Sequence, residues 1–352
     1  MPRAPTRPEP EPVPVLTEHD ARALVARAFA QAGVSGPGMA EAAAQHLVLT
    51  EMMGIHTHGL SRVGSYIARI AAGGIDPAAV PVVGAPAPAL RLMDAGAALG
   101  AAVAQRALAE AMAAARDTGI AACFVRNATH FGAIAPALWI AAEAGFASVI
   151  ASNSAPMLAP PGGREVRVGN APFGIGVPHA DGRHVMLDMA LSVAARSRLR
   201  GAAARGEAIP DTWATDADGI PTTDPQAALK GVLQAIGGRK GAALAVTLDL
   251  FAAGLAGAAM LSEVADNHKD PGARPDVGQV FIVIDTSRLA SPEELAARLD
   301  RAARIVAETP PVAGGPAPRL PGARAVSALR RAQAEGLEIA PDLLQDLQTL
   351  AG

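Results

Sequence analysis

Cysteine, lysine and aromatic residues are all scarce in this chain of 352 residues. The single cysteine, Cys123, lies in an apolar run and excludes an intramolecular disulfide, so we expect a reducing compartment, the cytoplasm. Only three lysines are present and the formal net charge is −3, which argues against a nucleic-acid partner because such surfaces need clustered positive charge. Half of the chain, 50%, is hydrophobic, too much for a disordered protein.

Long hydrophobic runs without charge are missing as well. The most apolar stretch, residues 241–261, holds Asp249 near its centre and contains more Ala and Gly than Leu and Ile. This composition favours a helix buried in a protein core over a membrane span. Residues 1–15 alternate Pro with Arg and Glu and lack the apolar core of a signal peptide. We therefore expect a soluble protein with no membrane partner and a disordered tail at residues 1–15.

Hydrophobic periodicity divides the rest of the chain into a helical part and a mixed part. In the first part, helices are predicted over residues 21–32, 39–53, 61–72 and 99–118, and extended structure over the Pro- and Val-rich residues 77–88. In the second part, strands are predicted over residues 120–125, 147–152, 185–188 and 279–285, with one or two more within 166–177. Helices are predicted there over residues 134–144, 189–200, 241–261 and 292–308, with a loop over 201–231. Strands that alternate with helices predict an α/β fold whose sheet is covered on both faces.

Residues 54–62 carry two histidines between two predicted helices. His58 falls where the second helix begins, and the helix dipole there favours an anion and a neutral imidazole. Arg62 lies one helical turn further on and can point the same way, which suits a carboxylate substrate with an adjacent carbonyl. The alternative is that His56 and His58 only cap the helix. No metal is expected, because Glu51 is the only nearby carboxylate.

Three further clusters follow predicted strands, where ligands bind in open α/β sheets. In residues 126–132, His130 is a candidate acid/base or cofactor contact, or a histidine satisfied by the backbone of a tight loop. Residues 153–163 are rich in small residues that let a flat ligand approach, or they form an ordinary turn. Asp188 can hold a ribose hydroxyl or a histidine, or cap a helix.

Residues 237–241 form a Gly-rich turn with Arg239 and Lys240 at the start of a long predicted helix. Two cations at a helix N-terminus predict a site for a phosphate-sized anion. No Ser or Thr follows Lys240, so the turn is not a Walker A loop, and the chain has no Gly-x-Gly-x-x-Gly between a strand and a helix. A dinucleotide would therefore not bind in the ordinary Rossmann manner.

Taken in order, these motifs closely resemble the type 2 malate/L-lactate dehydrogenase family, which also includes sulfolactate, ureidoglycolate, diketogulonate and piperideine-2-carboxylate enzymes. The resemblance runs from about residue 21 to residue 350. It is carried by residues 58–62 with Tyr66, and by 126–132, 153–163, 169–178, 187–192, 221–225, 237–241 and 320–322.

The resemblance implies a fold like that of L-sulfolactate dehydrogenase, with a non-Rossmann sheet domain that binds NAD(H) or NADP(H). Residues 120–310 would form this central α/β domain. Residues 16–119 together with 311–352 would form a helical substrate and dimerisation domain, and the protein would be a homodimer. The implied reaction is hydride transfer at C2 of a small 2-oxo or 2-hydroxy acid of the malate or lactate type.

The resemblance also implies roles for individual residues. His58 matches the proton donor of some relatives and His130 that of others, so both are candidates, and Asp188 is the third expected catalytic residue. Arg62 would bind the substrate carboxylate. The other expected substrate contacts are Thr57, Tyr66 and Asn153. The expected cofactor contacts are His130, Gly132, Ser154, Met186, Leu187, Asp188, Met189, Ala190, Leu191, Ser192, Arg239, Lys240, Gly322, Ala323 and Arg324.

Several positions depart from the family pattern. Thr57 replaces a usual Ser, Leu191 replaces a common Thr, and residues 169–172 read Gly-Asn-Ala-Pro instead of Gly-Thr-Asn-Pro. Ser154 stands where ureidoglycolate dehydrogenase carries a catalytic lysine, so we do not expect ureidoglycolate as the substrate. Three arginines can meet a 2′-phosphate and favour NADPH, or form a solvated helix face. They are Arg196, Arg198 and Arg200.

Two alternative functions stay open. The first, in the same reaction class, is a cyclic ketimine reductase acting on Δ1-piperideine-2-carboxylate or Δ1-pyrroline-2-carboxylate. The second is a catalytically inactive paralogue that binds a small molecule, an idea motivated by the changes near Asn170. Retention of His58, Arg62, His130 and Asp188 argues against the second.

Overall fold

The computed structural model describes residues 13–267 and 269–352. Residues 1–12 of the predicted tail lie outside the described residues. The helices are α1 Glu18–Gln31, α2 Met39–Met52, α3 Arg62–Ala71, α4 Gly100–Thr118, α5 Ala135–Glu143, α6 Arg196–Arg205, α7 Pro225–Lys230, α8 Arg239–Asp249, α9 Pro292–Ala307, α10 Ala323–Glu335 and α11 Pro341–Ala351. The strands are β1 Val15–Leu16, β2 Val82–Ala87, β3 Leu90–Asp94, β4 Ile120–Ala128, β5 Phe146–Ser152, β6 Phe173–Val177, β7 Val185–Met189, β8 Val277–Asp285 and β9 Leu337–Glu338.

Seven strands form the central sheet in the order β2-β3-β4-β8-β5-β6-β7. Only β3 and β4 pair in parallel, while every other neighbouring pair is antiparallel. Strands β3, β4, β5 and β7 therefore point the same way, and their carboxyl ends meet at one end of the sheet. That common end collects the segments that follow three of the predicted strands.

Alanine-rich packing joins the helices to the sheet. Helix α4 buries Ala101, Ala104, Ala107 and Ala111, and these small side chains let neighbouring elements approach closely. The core formed around α1, α2, α4, α5 and the sheet is continuous, and Phe29, Phe146 and Phe281 are among its largest fully buried side chains. Apolar side chains within residues 157–261 form a second, smaller core. The mixed α/β class predicted from periodicity is confirmed.

Helix starts follow local signals in the sequence. The Thr17 hydroxyl accepts a hydrogen bond from the amide of Asp20 at 3.1 Å. At α9, the Ser291 hydroxyl accepts from the Glu294 amide at 3.2 Å, and the Glu294 carboxylate accepts from the Ser291 amide at 3.1 Å. Each such cap stabilises a helix by about 1 kcal/mol.

Two predictions of local structure are wrong. The helix predicted over 189–200 begins only at Arg196, because backbone amides before it pair with distant segments: Leu191 donates to Asn170 at 2.8 Å and Val193 to Gln234 at 2.8 Å. The predicted loop over 201–231 contains the end of α6 and all of α7. The prediction of one or two strands within residues 166–177 is confirmed by β6, Phe173–Val177.

The apolar stretch over 241–261 is helical for most of its length. Helix α8 begins two residues earlier than predicted and continues into a π-helical turn at Leu250–Gly254. Within the described residues, no helix is long and apolar enough to cross a lipid bilayer. Strand β2 lies within residues 77–88, where extended structure was predicted. Both β2 and β3 belong to the central sheet although residues 16–119 were assigned to the helical domain, so the division into two domains stays a proposal.

Candidate active site

The loop between α2 and α3 brings His58 and Arg62 together. The Thr57 hydroxyl lies 2.9 Å from Nδ1 of His58, and the Thr57 carbonyl accepts a hydrogen bond from Nε of Arg62 at 2.6 Å. The Ser61 hydroxyl donates to the His56 carbonyl at 2.6 Å. Arg62 is the first residue of α3, so His58, which was predicted where this helix begins, lies in the loop four residues before it.

His130 meets this loop at the common end of the sheet. Its imidazole lies with its ring centroid 5.8 Å from that of His58. Nδ1 of His130 is 2.8 Å from the hydroxyl of Tyr66, which lies one helical turn after Arg62 on α3. Four of the residues predicted from sequence, His58, Arg62, Tyr66 and His130, thus form one cluster.

The chain places His130 through close contacts after β4. Gly100 begins α4, and a Cβ atom at this position would lie 2.4 Å from the carbonyl oxygen of His130, so only glycine fits. The Thr129 hydroxyl donates to the Ala98 carbonyl at 3.0 Å, and the Gln279 amide donates to the Thr129 carbonyl at 3.2 Å. These contacts fix the backbone on which the His130 ring is carried.

Burial and charge set the protonation of the cluster. Burial, together with the positive charge of Arg62, lowers the pKa of His58 to about 4, so its imidazole is neutral at pH 7. Burial raises the pKa of Tyr66 well above its usual range, although Arg62 and Arg69 oppose this shift. The phenol therefore keeps its proton and can donate it in a hydrogen bond to Nδ1 of His130.

Asp188 and Asn153 are held by backbone groups at the same end of the sheet. Oδ2 of Asp188 accepts from the amides of Ile134 at 3.0 Å and Ala135 at 2.8 Å, so this carboxylate caps the start of α5. Burial raises the pKa of Asp188, and these two hydrogen bonds oppose the shift. The Asn153 side chain accepts from the Gly278 amide at 2.9 Å and donates to the Ala259 carbonyl at 2.8 Å. Their catalytic and substrate-binding roles stay predictions.

The segments expected to contact a cofactor surround β7, which is an edge strand of the sheet. Its residue Met186 donates its amide to the Pro321 carbonyl at 3.1 Å, which brings Gly322, Ala323 and Arg324 at the start of α10 against this edge. The Ser154 hydroxyl donates to Oδ1 of Asn170 at 2.9 Å, beside the start of β6. The end of β7 and residues 190–192 continue along the same edge.

Arg239 and Lys240 lie exposed in the first turn of α8, after the N-cap residue Gly238. Next to this turn is a cleft of about 260 Å³, lined by residues 159–163, 215, 219, 221, 232–235, 238, 239 and 242. The turn at 237–241 and the glycines at 162–163, two motifs noted separately in the sequence, therefore share one cleft. His58, Arg62 and His130 do not line it.

The three arginines after β7 differ in their contacts. Nη2 of Arg196 donates to the Leu229 carbonyl at 3.0 Å, and the guanidinium of Arg198 lies 5.8 Å from the centroid of the Trp213 ring. Arg200 is exposed. Within residues 13–267 and 269–352, no three Cys, His, Asp or Glu side chains are grouped as metal ligands.

Two polar residues that support the cluster were missed by the sequence analysis. His46 is fully buried. Its Nε2 atom lies 3.0 Å from the Ala133 carbonyl oxygen and its Nδ1 atom lies 3.4 Å from the side-chain amide nitrogen of Gln105. The contact with Ala133 fixes the segment that follows His130. Burial lowers the pKa of His46 to about 4. Glu51 lies under the loop that carries His58. The partners of His46 are far along the chain, whereas Glu51 binds His56 and Leu60, five and nine residues further on. In both cases the only signal in the sequence is a histidine or glutamate on an apolar helix face.

Comparison with known proteins identifies the family. Residues 16–348 match the sequence model of malate/L-lactate dehydrogenase. The chain is 35% identical to a Δ1-pyrroline-2-carboxylate/Δ1-piperideine-2-carboxylate reductase from Pseudomonas syringae pv. tomato, over 94% of each chain.

Solved structures give the same result. The Δ1-piperideine-2-carboxylate reductase of Pseudomonas syringae superposes with a TM-score of 0.85 at 33% identity, covering 96% of this chain and 99% of the other. Sulfolactate dehydrogenase from Methanocaldococcus jannaschii gives a TM-score of 0.86 at 27% identity, covering 96% of each. The fold predicted from the resemblance is confirmed. The chain therefore belongs to the malate/L-lactate dehydrogenase family, and it is an oxidoreductase that uses a nicotinamide cofactor.

Proposed function

We propose that this enzyme reduces C2 of a small carboxylic acid, with a 2-oxo acid of the malate or lactate type as the first candidate substrate. The observation that carries the proposal is the cluster of His58, Arg62, Tyr66 and His130 at the end of the sheet. The family supplies the reaction class.

Arg62 is the group proposed to bind the substrate carboxylate. Its Nε atom is fixed on the Thr57 carbonyl at 2.6 Å, which leaves the two Nη groups for two parallel hydrogen bonds to a carboxylate. The charge of Arg62 acts on His58, whose ring centroid is 5.8 Å from that of His130, so we propose that a carboxylate on Arg62 brings C2 of the acid to the two imidazoles. Positioning of this kind lowers the barrier because the reacting groups are already aligned.

His58 or His130 is proposed to deliver the proton. A bound nicotinamide supplies the hydride, and reduction of a carbonyl then leaves an oxyanion that needs a proton. A substrate carboxylate on Arg62 offsets the positive charge that helps to lower the pKa of His58, so substrate binding raises the fraction of protonated His58. For His130, Tyr66 orients the ring through Nδ1. Both histidines stay candidates.

The residues around β7 and α8 suit a dinucleotide. Arg239 and Lys240 at a helix N-terminus favour the negative charge of a pyrophosphate, and the adjacent cleft of about 260 Å³ offers room for part of a bound nucleotide. We propose that residues 186–192 and 322–324, with Gly132 and Ser154, complete the cofactor contacts. NADH and NADPH are both open, because Arg196 and Arg198 have partners within the protein.

A cyclic ketimine carboxylate is the second candidate substrate, and two observations favour it. The reductase of Pseudomonas syringae pv. tomato, 35% identical, is named for such imines. A protonated ketimine also brings its own proton on nitrogen, so a neutral His58 with a pKa of about 4 is sufficient for its reduction. We propose a homodimer in the cytoplasm for either activity.

A substrate panel tests the proposal. Oxidation of NADH and of NADPH is followed with pyruvate, oxaloacetate and Δ1-piperideine-2-carboxylate. The proposal predicts turnover of at least one acid, which also excludes an inactive binding paralogue. Two variants, His58→Gln and His130→Gln, are then compared. The one that removes the proton donor should lower kcat by about 10²–10⁴-fold. The exposed His19→Gln is the matched control. Full activity of both histidine variants would contradict the proton-donor assignment.

A further inference from the structure

A buried carboxylate lies beneath the loop that carries His58. Glu51 is in the last turn of α2, and its side chain is only 7% exposed. One oxygen, Oε1, lies 2.5 Å from Nδ1 of His56, and the other, Oε2, accepts a hydrogen bond from the Leu60 amide at 2.8 Å. A carboxylate in this position is stable only because both oxygens have partners.

The two partners of Glu51 bracket His58 in the sequence. His56 is two residues before it and Leu60 is two residues after it. Between them the backbone turns tightly, since the amide of His58 donates to the Ile55 carbonyl at 3.0 Å. The carbonyl of Thr57, the residue before His58, is the acceptor that holds Arg62. A shift of the loop away from Glu51 therefore displaces His58 and Arg62 together.

The loop is shaped to close over this carboxylate. Gly59 lies directly against Glu51, and a Cβ atom at residue 59 would lie 2.3 Å from Oε2 and 3.0 Å from the backbone nitrogen of Glu51. A side chain at this position would push the loop off the helix. The contact is thus as close as two backbone segments allow, and the carboxylate fills the space between them.

We propose that Glu51 is a positioning residue of the active site, which acts through His56 and Leu60 to hold His58 and Arg62 in the geometry that the substrate needs. The proposal rests on the proposed function of those two residues. Glu51 does not contact the reacting atoms, so its effect is on their placement, and misplacement by about 1 Å can cost about 10²-fold in rate.

The side chain needed at residue 51 is defined by shape and hydrogen bonding. The amide in Glu51→Gln keeps an acceptor for the Leu60 amide and can donate to Nδ1 of a neutral His56, so it can preserve the loop. Glu51→Ala removes both bonds and leaves a buried amide without an acceptor. Glu41→Ala is the matched control, because Glu41 lies on the same helix and is exposed.

The test combines kinetics with a titration of His58 followed by NMR on histidine-labelled protein, with His58→Gln used to assign the signal. For Glu51→Ala we expect kcat to fall by about 10–100-fold while the cofactor KM is unchanged, and the pKa of His58 to rise from about 4 towards 6.5 as the loop moves into water. Glu51→Gln should keep kcat within about threefold and leave the titration of His58 unchanged.

The titration separates this proposal from the proposed function. If no panel substrate is turned over, the pKa of His58 still reports whether Glu51 holds the loop. A folded Glu51→Ala variant with the wild-type titration of His58 overturns the proposal. An equal loss of kcat in the two variants Glu51→Gln and Glu51→Ala also overturns it, because glutamine keeps the shape and hydrogen bonds that are proposed to hold the loop.

Discussion

Replacement of Arg62 tests how the substrate is held. Nε of Arg62 donates to the Thr57 carbonyl at 2.6 Å, which leaves the two Nη groups for the carboxylate that we propose Arg62 to bind. Hydrogen bonds to charged groups contribute about 1.5–3 kcal/mol each, and two of them contribute about 3–6 kcal/mol. Because about 1.4 kcal/mol corresponds to a tenfold change, Arg62→Ala should lower kcat/KM for the acid by about 10²–10⁴-fold. Arg62→Lys keeps the positive charge but cannot form two parallel hydrogen bonds, so its kcat/KM should lie between those of the wild type and Arg62→Ala.

The assay follows oxidation of the reduced cofactor at varied acid and at varied cofactor concentrations. The cofactor KM should be unchanged, because Arg62 is assigned to the acid and not to the nucleotide. Arg62→Ala should also raise the pKa of His58 in an NMR titration, since the positive charge that helps to lower it is gone. A loss in kcat/KM below about fivefold, or an equal rise in both KM values, would refute the reasoning.

Three further predictions concern the surroundings of the cluster. Burial lowers the pKa of His46 to about 4, so between pH 6.5 and 4 the unfolded chain takes up a proton that the folded chain does not, and the folded state loses about 3 kcal/mol of stability. In His46→Gln this loss should be absent from the free energy of unfolding measured in urea at the two pH values. A pH dependence equal to that of the wild type would contradict the prediction. Tyr66→Phe should lower kcat about tenfold at constant cofactor KM, whereas wild-type kcat would exclude an orienting role for the phenol. Arg239→Ala should weaken cofactor binding about tenfold in a fluorescence titration without changing the KM of the acid, and equal affinity would remove Arg239 from the cofactor site.

Periodicity predicted most elements because the core determines them. The strands at 120–128, 146–152 and 277–285 are runs of buried apolar residues, and the helices at 18–31 and 100–118 have apolar faces at helical spacing. Prediction failed over residues 189–231 because the backbone there pairs with distant segments. The Leu191 amide, for example, donates to Asn170, and no local pattern reports such a partner.

The candidate site was predictable where function depends on position after a strand or at a helix start. His130 was found by its position after a strand and Arg62 by its position at a helix start, whereas His58 lies in the loop before that helix. The shared direction of β4, β5 and β7 explains why motifs far apart in sequence meet. The partners of these residues were not predictable. The role of Tyr66 as a substrate contact stays a prediction, and nothing in the sequence indicated that its hydroxyl lies 2.8 Å from Nδ1 of His130, 64 residues away. The only signal for Glu51 was a glutamate on an apolar helix face, because its bonds to His56 and Leu60 arise only when the loop folds back.

The transfer of isotope from cofactor to product tests the central claim most directly. Reduced nicotinamide labelled with deuterium on the transferred side is incubated with the enzyme and with the panel acid that it turns over, and the product is examined by mass spectrometry and NMR. The account predicts one deuterium at C2 of the product, with formation of the product strongly reduced in Arg62→Ala. Product that carries no deuterium at C2, or an enzyme that oxidises the cofactor equally well without Arg62, would contradict it.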